Sequence, residues 1–177
     1  MIRSARADDA GAIAAIYAPY VAGTISFEDV APDADTILGR MAASGGRYPW
    51  LVAEVDGIVA GYAYASEWSA RSAYRWIVET TVYLAPDATG RGLGRRLYGA
   101  LLDILTLQGF AQAVGRISLP NAPSQALHAA LGFRRTGTLH GAGHKAGRWI
   151  DVEHWQRPLA APGDPPAEPR NLARNFL

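Results

Sequence analysis

Val82-Tyr83-Leu84-Ala85-Pro86-Asp87-Ala88-Thr89-Gly90-Arg91-Gly92-Leu93-Gly94-Arg95-Arg96-Leu97 is the stretch on which the fold turns. The β-branched and aromatic residues leading to Leu84 predict the end of a strand. Leu97, Leu101, Leu102 and Leu105 recur at helical spacing, so a helix is expected from Gly90–Gly94 to about Gln108, closed by Gly109. Between the two, alternating glycines let backbone N–H groups converge at a helix N-terminus, where the partial positive charge favours an anion. The pattern fits a phosphate or pyrophosphate cradle. It is neither a P-loop, since no Gly-Lys-Ser/Thr closes it, nor Gly-x-Gly-x-x-Gly. A plain glycine-rich loop is the other reading of the same residues.

Working outward, Trp76–Leu84 reads as the central strand. Before it, Trp50–Val55 and Ile58–Ala65 flank Asp56-Gly57, a two-residue hairpin turn. Ile2–Ala5 reads as an opening strand. A helix then begins near Asp8 and Asp9 and is expected to end at Pro19. Thr24–Phe27 reads as a second short strand or an extended loop, and Ala34–Ala43 as a modest helix. After the glycine turn and its helix come a strand over Ala113–Leu119, a helix from Pro120-Asn121-Ala122-Pro123-Ser124 to about Leu131-Gly132, and antiparallel strands over Phe133–Leu139 and Trp149–Trp155. Strands outnumber helices, which gives an α+β domain around one twisted, mixed and mostly antiparallel sheet flanked by helices. The domain is expected over residues 1–159. Five of the 11 prolines fall between Pro158 and Pro169, so residues 160–177 read as a Pro-rich tail, flexible or lying on a partner subunit.

Composition narrows the function. The 177 residues suit one domain. Lys plus Arg is 17 against 16 Asp plus Glu, a net charge of +1, which argues against a nucleic-acid surface. There is no cysteine, hence no disulfide, Cys nucleophile or thiolate metal site. The uncharged run Ala10–Phe27 is too weakly apolar for a membrane span, and Asp8, Asp9 and Pro19 do not suit a signal peptide, so the expectation is a cytoplasmic protein with no membrane partner. His140, His144, Asp151 and His154 are ligand types without helical spacing or a second motif, so no metal is expected.

The glycine turn resembles the acetyl-coenzyme A motif of the GNAT acetyltransferases, Arg/Gln-x-x-Gly-x-Gly/Ala, with Thr89 where that family usually has Arg or Gln. Further blocks are similar to the phosphinothricin N-acetyltransferase branch: Arg47-Tyr48-Pro49-Trp50-Leu51-Val52-Ala53-Glu54, Ala70-Arg71-Ser72-Ala73-Tyr74-Arg75-Trp76, Val78-Glu79-Thr80-Thr81-Val82-Tyr83, Leu119-Pro120-Asn121-Ala122-Pro123-Ser124, Leu127-His128-Ala129-Ala130-Leu131-Gly132-Phe133 and Trp155-Gln156-Arg157. Together they cover roughly Phe27 to Arg157. The resemblance implies a GNAT fold, acetyl-CoA as cosubstrate, acetyl transfer to the α-amino group of phosphinothricin, herbicide resistance, and a homodimer. Methionine sulfoximine and sulfone acetyltransferases share these blocks. Their substrates also join an α-amino acid to a tetrahedral polar centre. Ser69 stands where phosphinothricin enzymes often carry Lys. A non-catalytic acetyl-CoA-binding module and a protein N-terminal acetyltransferase are the remaining readings.

The site residues follow. Glu79 sits inside an apolar strand, where a carboxylate is costly unless paired or functional. An ammonium must lose a proton before its nitrogen can attack a thioester, and a partly buried Glu suits that task. The resemblance puts the catalytic Glu here. It also puts His128 where many GNAT enzymes have a Tyr able to protonate the leaving thiolate; packing on the coenzyme without chemistry is the other reading. The resemblance further implies that the central strand splays from its neighbour, freeing the amides of Thr81, Val82 and Tyr83 for the thioester carbonyl. Thr89, Gly90, Arg91, Gly92, Leu93 and Gly94 would hold the coenzyme phosphates, with Arg95 and Arg96 completing a small basic cluster. Asn121 either caps its helix or meets the pantetheine. Arg71 offers a fork for oxyanions and Tyr74 a donor with an apolar wall. Phe27, Tyr83 and Tyr98 match substrate-pocket aromatics by resemblance, although each reads as core from its sequence alone.

Overall fold

The computed structural model describes residues 1–171. Seven strands form one sheet: β1 (Ile2–Ser4), β2 (Trp50–Val55), β3 (Ile58–Glu67), β4 (Ile77–Leu84), β5 (Gln112–Ser118), β6 (Arg134–Lys145) and β7 (Arg148–Pro158). Four α-helices cover it: α1 (Ala10–Ala22), α2 (Ala34–Ala43), α3 (Leu93–Gln108) and α4 (Ala122–Ala130). The strand order is β1-β2-β3-β4-β5-β7-β6. All neighbours run antiparallel except β4 and β5, which α3 connects as a parallel crossover. This is the mixed, mostly antiparallel sheet expected.

One core lies under each face. Leu97, Leu101, Leu102 and Leu105 of α3 pack with Val78, Ala113 and Phe133 on one side. Ile13, Ile16 and Tyr17 of α1 pack with Ile37, Val52 and Tyr62 on the other. Alternation along β4 divides its side chains between these faces. Val78, Val82 and Leu84 meet the α3 core, whereas Tyr83 meets the α1 core.

The sheet opens in its middle. The β4–β5 register holds only for Ile77↔Gln112, Val78↔Ala113 and Glu79↔Val114. Beyond Glu79, β4 stays paired with β3 as far as Leu84↔Gly61, and β5 stays paired with β7 as far as Ser118↔Val152. The two strands therefore part, and the edge of β4 facing the gap has no strand partner.

Three local expectations change. Pro19 lies inside α1, which runs on to Ala22. Proline removes one intrahelical bond, but Tyr17 and Val21 on either side are buried, and the Tyr20 hydroxyl donates to Leu84 O at 2.6 Å. Thr24–Phe27 forms no strand; side chains hold this loop instead. The Ser118 hydroxyl donates to Ile25 O at 2.6 Å, and the Lys145 ammonium donates to Val21 O, Ser26 O and Glu28 O at 2.6, 2.8 and 2.6 Å. Composition also suggests a tail that is flexible or lies on a partner subunit. Residues 160–171 nevertheless have partners on the domain: Trp76 Nε1 donates to Ala167 O at 2.8 Å, Arg75 pairs with Glu168 at 2.6 Å, and Arg170 N donates to Gln108 O at 2.8 Å. Residues 172–177 of the expected tail lie outside the described residues. No helix among the described residues is long and apolar enough to cross a membrane.

Candidate active site

A cavity of about 950 Å³ follows the gap between β4 and β5. Its walls join the glycine turn, the free edge of β4, the start of α4 and the loop after α1.

At one end stands the glycine turn. Gly90 and Gly92 hold φ of 75° and 74°, and an added Cβ at either would meet nothing within 4 Å. The glycines are there for backbone conformation rather than for close packing. Gly92 is the N-cap of α3 and supplies no side-chain bond. The first capping bond is Arg96 N to Gly92 O at 3.2 Å, so the amides of Leu93, Gly94 and Arg95 have no helical acceptor. Three free amides at the start of a 16-residue helix suit a pyrophosphate. Thr89, Gly90, Gly92, Gly94 and Arg95 line the cavity. Arg91 is exposed and outside the lining, and the Leu93 side chain is buried in the α3 core, so only its amide faces this end.

Asn121 lines the cavity and caps α4, its Oδ1 accepting from Ser124 N at 3.3 Å. His128, one helical turn further on, is 5% exposed. Its Nδ1 lies 2.8 Å from Ser124 O. A carbonyl only accepts, so Nδ1 carries the proton and Nε2 of the neutral ring is an acceptor. Tyr98 donates to Nε2 at 3.2 Å, and the Thr80 hydroxyl lies 2.7 Å from the Tyr98 hydroxyl. Burial holds the imidazole pKa below its ordinary value. Gly115 of β5 makes room for the ring, because a Cβ there would overlap His128 Nε2 and reach within 2.9 Å of Cδ2.

Tyr98 is wholly buried and forms none of the cavity wall. As an expected substrate contact it is corrected. It lies on the core-facing side of α3 between Leu97 and Leu101, so its hydroxyl meets the site only from behind, through His128 and Thr80.

Glu79 projects from the other face of β4. Arg116 holds it with two parallel bonds, Nε to Oε1 at 2.6 Å and the terminal nitrogen to Oε2 at 2.7 Å. The Glu79 side chain is 15% exposed and that of Arg116 54%. Both line the cavity. Sequence reasoning missed Arg116, although an arginine within the apolar run Ala113–Leu119 was the available signal. Thr81, Val82 and Tyr83 line the cavity, but the expectation of three free amides is corrected: Ala85 N donates to Ala60 O in the register of Tyr83↔Tyr62 and Thr81↔Tyr64, so the Thr81 and Tyr83 amides point at β3 and only that of Val82 faces the gap.

The loop after α1 closes the far wall. Phe27 is 43% exposed and its ring lies against Gly143 of β6, where a Cβ would overlap it. Glu28 faces the same space but is held by Arg40 through two 2.8 Å bonds, a pairing that keeps its carboxyl below the ordinary range. Sequence reasoning also missed Lys145, whose triple bond to this loop crosses more than a hundred residues of chain and leaves no local pattern.

Arg71 and Tyr74 are not in the cavity. They lie exposed on the β3–β4 loop; from the same loop Trp68 packs edge-on against His154 of the cavity wall, ring centroids 5.9 Å apart. The loop turns outward through the 3-10 turn Ser72–Tyr74, which points both side chains to solvent. Among the described residues no group of three or more His, Asp or Glu is placed to hold a metal, and His140 pairs with Asp151.

Comparison with known proteins agrees with this geometry. Residues 2–155 match the model of the acetyltransferase (GNAT) domain. The chain is 45% identical to a phosphinothricin N-acetyltransferase of Streptomyces viridochromogenes over 93% of its own length and 90% of the relative's. It is 37% identical to a methionine sulfoximine/methionine sulfone acetyltransferase of Salmonella typhimurium, over 89% of this chain and 94% of that one. The crystal structure of a phosphinothricin acetyltransferase from Sinorhizobium meliloti with acetyl-CoA superposes with a TM-score of 0.87, at 40% identity, covering 90% of this chain and 88% of that one.

Proposed function

The chain belongs to the GNAT acetyltransferase family, and from that premise we propose that it is an N-acetyltransferase that moves acetyl from acetyl-CoA to the α-amino group of phosphinothricin. The observation that carries the chemistry is the opening of the sheet after Glu79, beside a glycine turn with three unpartnered helix amides. The Gly90–Arg95 turn would hold the coenzyme's phosphates, and Asn121 would meet its pantetheine. When bound, the coenzyme supplies an activated thioester carbonyl.

The chain's own residues do the rest. Glu79 takes a proton from the ammonium, directly or through a water, and uncovers the nitrogen lone pair. The Val82 amide, turned to the gap on the free edge of β4, donates to the carbonyl oxygen as negative charge develops there, while the amides of Thr81 and Tyr83 stay bonded to β3. His128 lines the gap from the other side of the sheet; its neutral ring, with Nδ1–H held by Ser124 O, accepts at Nε2 the second proton that the nitrogen loses after attack and passes it to the departing sulfur. Phe27 and Tyr83 form an apolar wall. A homodimer with the substrate site near the subunit contact goes with this reading, as do a cytoplasmic site of action and a role in herbicide resistance.

The relatives favour a second substrate comparably: methionine sulfoximine or sulfone, whose acetyltransferases align over most of the chain. The experiment is thiol release from acetyl-CoA by purified protein with phosphinothricin, methionine sulfoximine, methionine sulfone and a short peptide. A kcat/KM for phosphinothricin well above the others is the expected result. Preference for the methionine analogues moves the substrate and keeps the mechanism. Coenzyme binding without thiol release from any amine overturns the reading in favour of a binding module.

A further inference from the structure

We infer that Arg116 is the carboxylate receptor of this site and that its pair with Glu79 is a latch that the substrate opens. The inference rests on the amino-acid acetyltransferase reading and adds to it a specificity residue. Three observations carry it. In an α-amino acid the ammonium and the carboxylate share one carbon, so a base for the first and a cation for the second must be neighbours. Glu79 and Arg116 are in direct two-bond contact. Among the described residues lining the cavity, the only Arg or Lys side chains are Arg95 and Arg116, and Arg95 belongs to the first turn of α3 at the coenzyme end. Finally, the Arg116 side chain is 54% exposed, so its hold on Glu79 is weakened by solvent and an incoming anion can displace it.

The exchange balances without any covalent step. At rest both oxygens of Glu79 accept N–H bonds from the guanidinium and are poorly placed to receive another proton. The substrate carboxylate offers the same bidentate geometry and takes over the fork. Glu79 is then free to accept the adjacent ammonium proton. An amine without a carboxylate finds the latch closed. Arg116 thus couples recognition of the acid group to release of the base. His154, in register with Arg116 on β7 and also lining the cavity, flanks the same end.

The test is calorimetric binding of N-acetylphosphinothricin and N-acetylmethionine sulfone to the CoA complex of the unaltered protein, Arg116→Met, Arg116→Lys and Glu79→Gln. These ligands keep the carboxylate and lack the ammonium. Arg116→Met is expected to weaken binding at least ~10-fold, with Arg116→Lys in between, since Lys keeps the charge and loses the fork. Glu79→Gln is expected to tighten binding several-fold, because it removes the competing carboxylate. Opposite signs are the signature of competition for one guanidinium; a merely structural ion pair would move both variants the same way. No binding by the unaltered protein, no change in Arg116→Met, or weakening in both variants overturns the proposal. Thermal melts of the same samples establish that each is folded. The binding arms decide Arg116 whether or not turnover is seen, and thiol release by the unaltered protein separately decides the acetyl-transfer reading.

Discussion

Glu79 and His128 stand on opposite faces of the sheet at the place where β4 and β5 part. Glu79 bonds to Arg116 on one side, while the next residue, Thr80, reaches Tyr98 and through it His128 on the other. Among the described residues no hydrogen bond joins Glu79 to His128. In the mechanism we propose, the amine approaches a carbonyl in the gap from the Glu79 face and the sulfur leaves toward the His128 face.

Replacing Glu79 with Gln keeps the shape of the site and removes the base. Turnover with the best amine is expected to fall about 10²- to 10⁴-fold. Acetyl-CoA binding, read by fluorescence or calorimetry, is expected to stay within about twofold, because the glycine turn proposed to hold the coenzyme's phosphates lies at the other end of the cavity. Retained turnover would remove Glu79 from the mechanism.

His128 gives stability a pH dependence. Burial lowers its pKa in the folded protein below the unfolded value of about 6.5, so the unfolded chain binds more protons between the two values. Stability from this residue is fully present above the unfolded value and declines as pH falls below it. Thermal melts between pH 7.5 and 5 are expected to show a midpoint that drops on acidification, with a shallower drop in His128→Asn. Equal slopes in the two proteins would contradict the assignment.

Gly115→Ala puts a methyl group where the His128 ring lies. Overpacking of this kind costs about 1–3 kcal/mol. Urea denaturation is expected to show that loss together with a lower kcat, since the ring must move from the gap. An unchanged kcat at reduced stability would mean that the ring's position does not matter to turnover.

Lys145→Met releases three charge-assisted bonds to the loop carrying Phe27 and Glu28. Each such bond contributes about 1.5–3 kcal/mol to local order. The KM for the amine is expected to rise about 10-fold with little change in the KM for acetyl-CoA, whose proposed cradle is the glycine turn rather than this loop. Parallel changes in both constants would point to general unfolding of the domain.

Gly92→Ala forces a side chain into the left-handed region at φ 74°. The backbone penalty is about 1–2 kcal/mol. Steady-state kinetics are expected to give the mirror image of the Lys145 result: a raised KM for acetyl-CoA and a nearly constant KM for the amine.

The local signals in the sequence determined a good deal of this protein. Glycines 90, 92 and 94 marked the turn between a strand and a leucine-striped helix, the proposed coenzyme end, because backbone torsion and helical period are local properties. Asp56-Gly57 marked its hairpin for the same reason, and Glu79 stood out as a carboxylate in an apolar strand. Residues whose roles depend on distant partners were not legible in this way. Pro19 looked like a helix stop until Tyr20 was seen bonded to Leu84 across the fold. Tyr98 looked like a pocket residue by resemblance, yet its place on α3 sends it behind His128. Only the tertiary structure decided that Glu79 is latched by Arg116, that Lys145 clasps the loop after α1, and that Arg71 and Tyr74 stand outside the cavity. These relations join residues 37 to 124 positions apart or depend on the outward path of a loop. A one-dimensional pattern records the residue types, while the sheet's topology decides which of them meet.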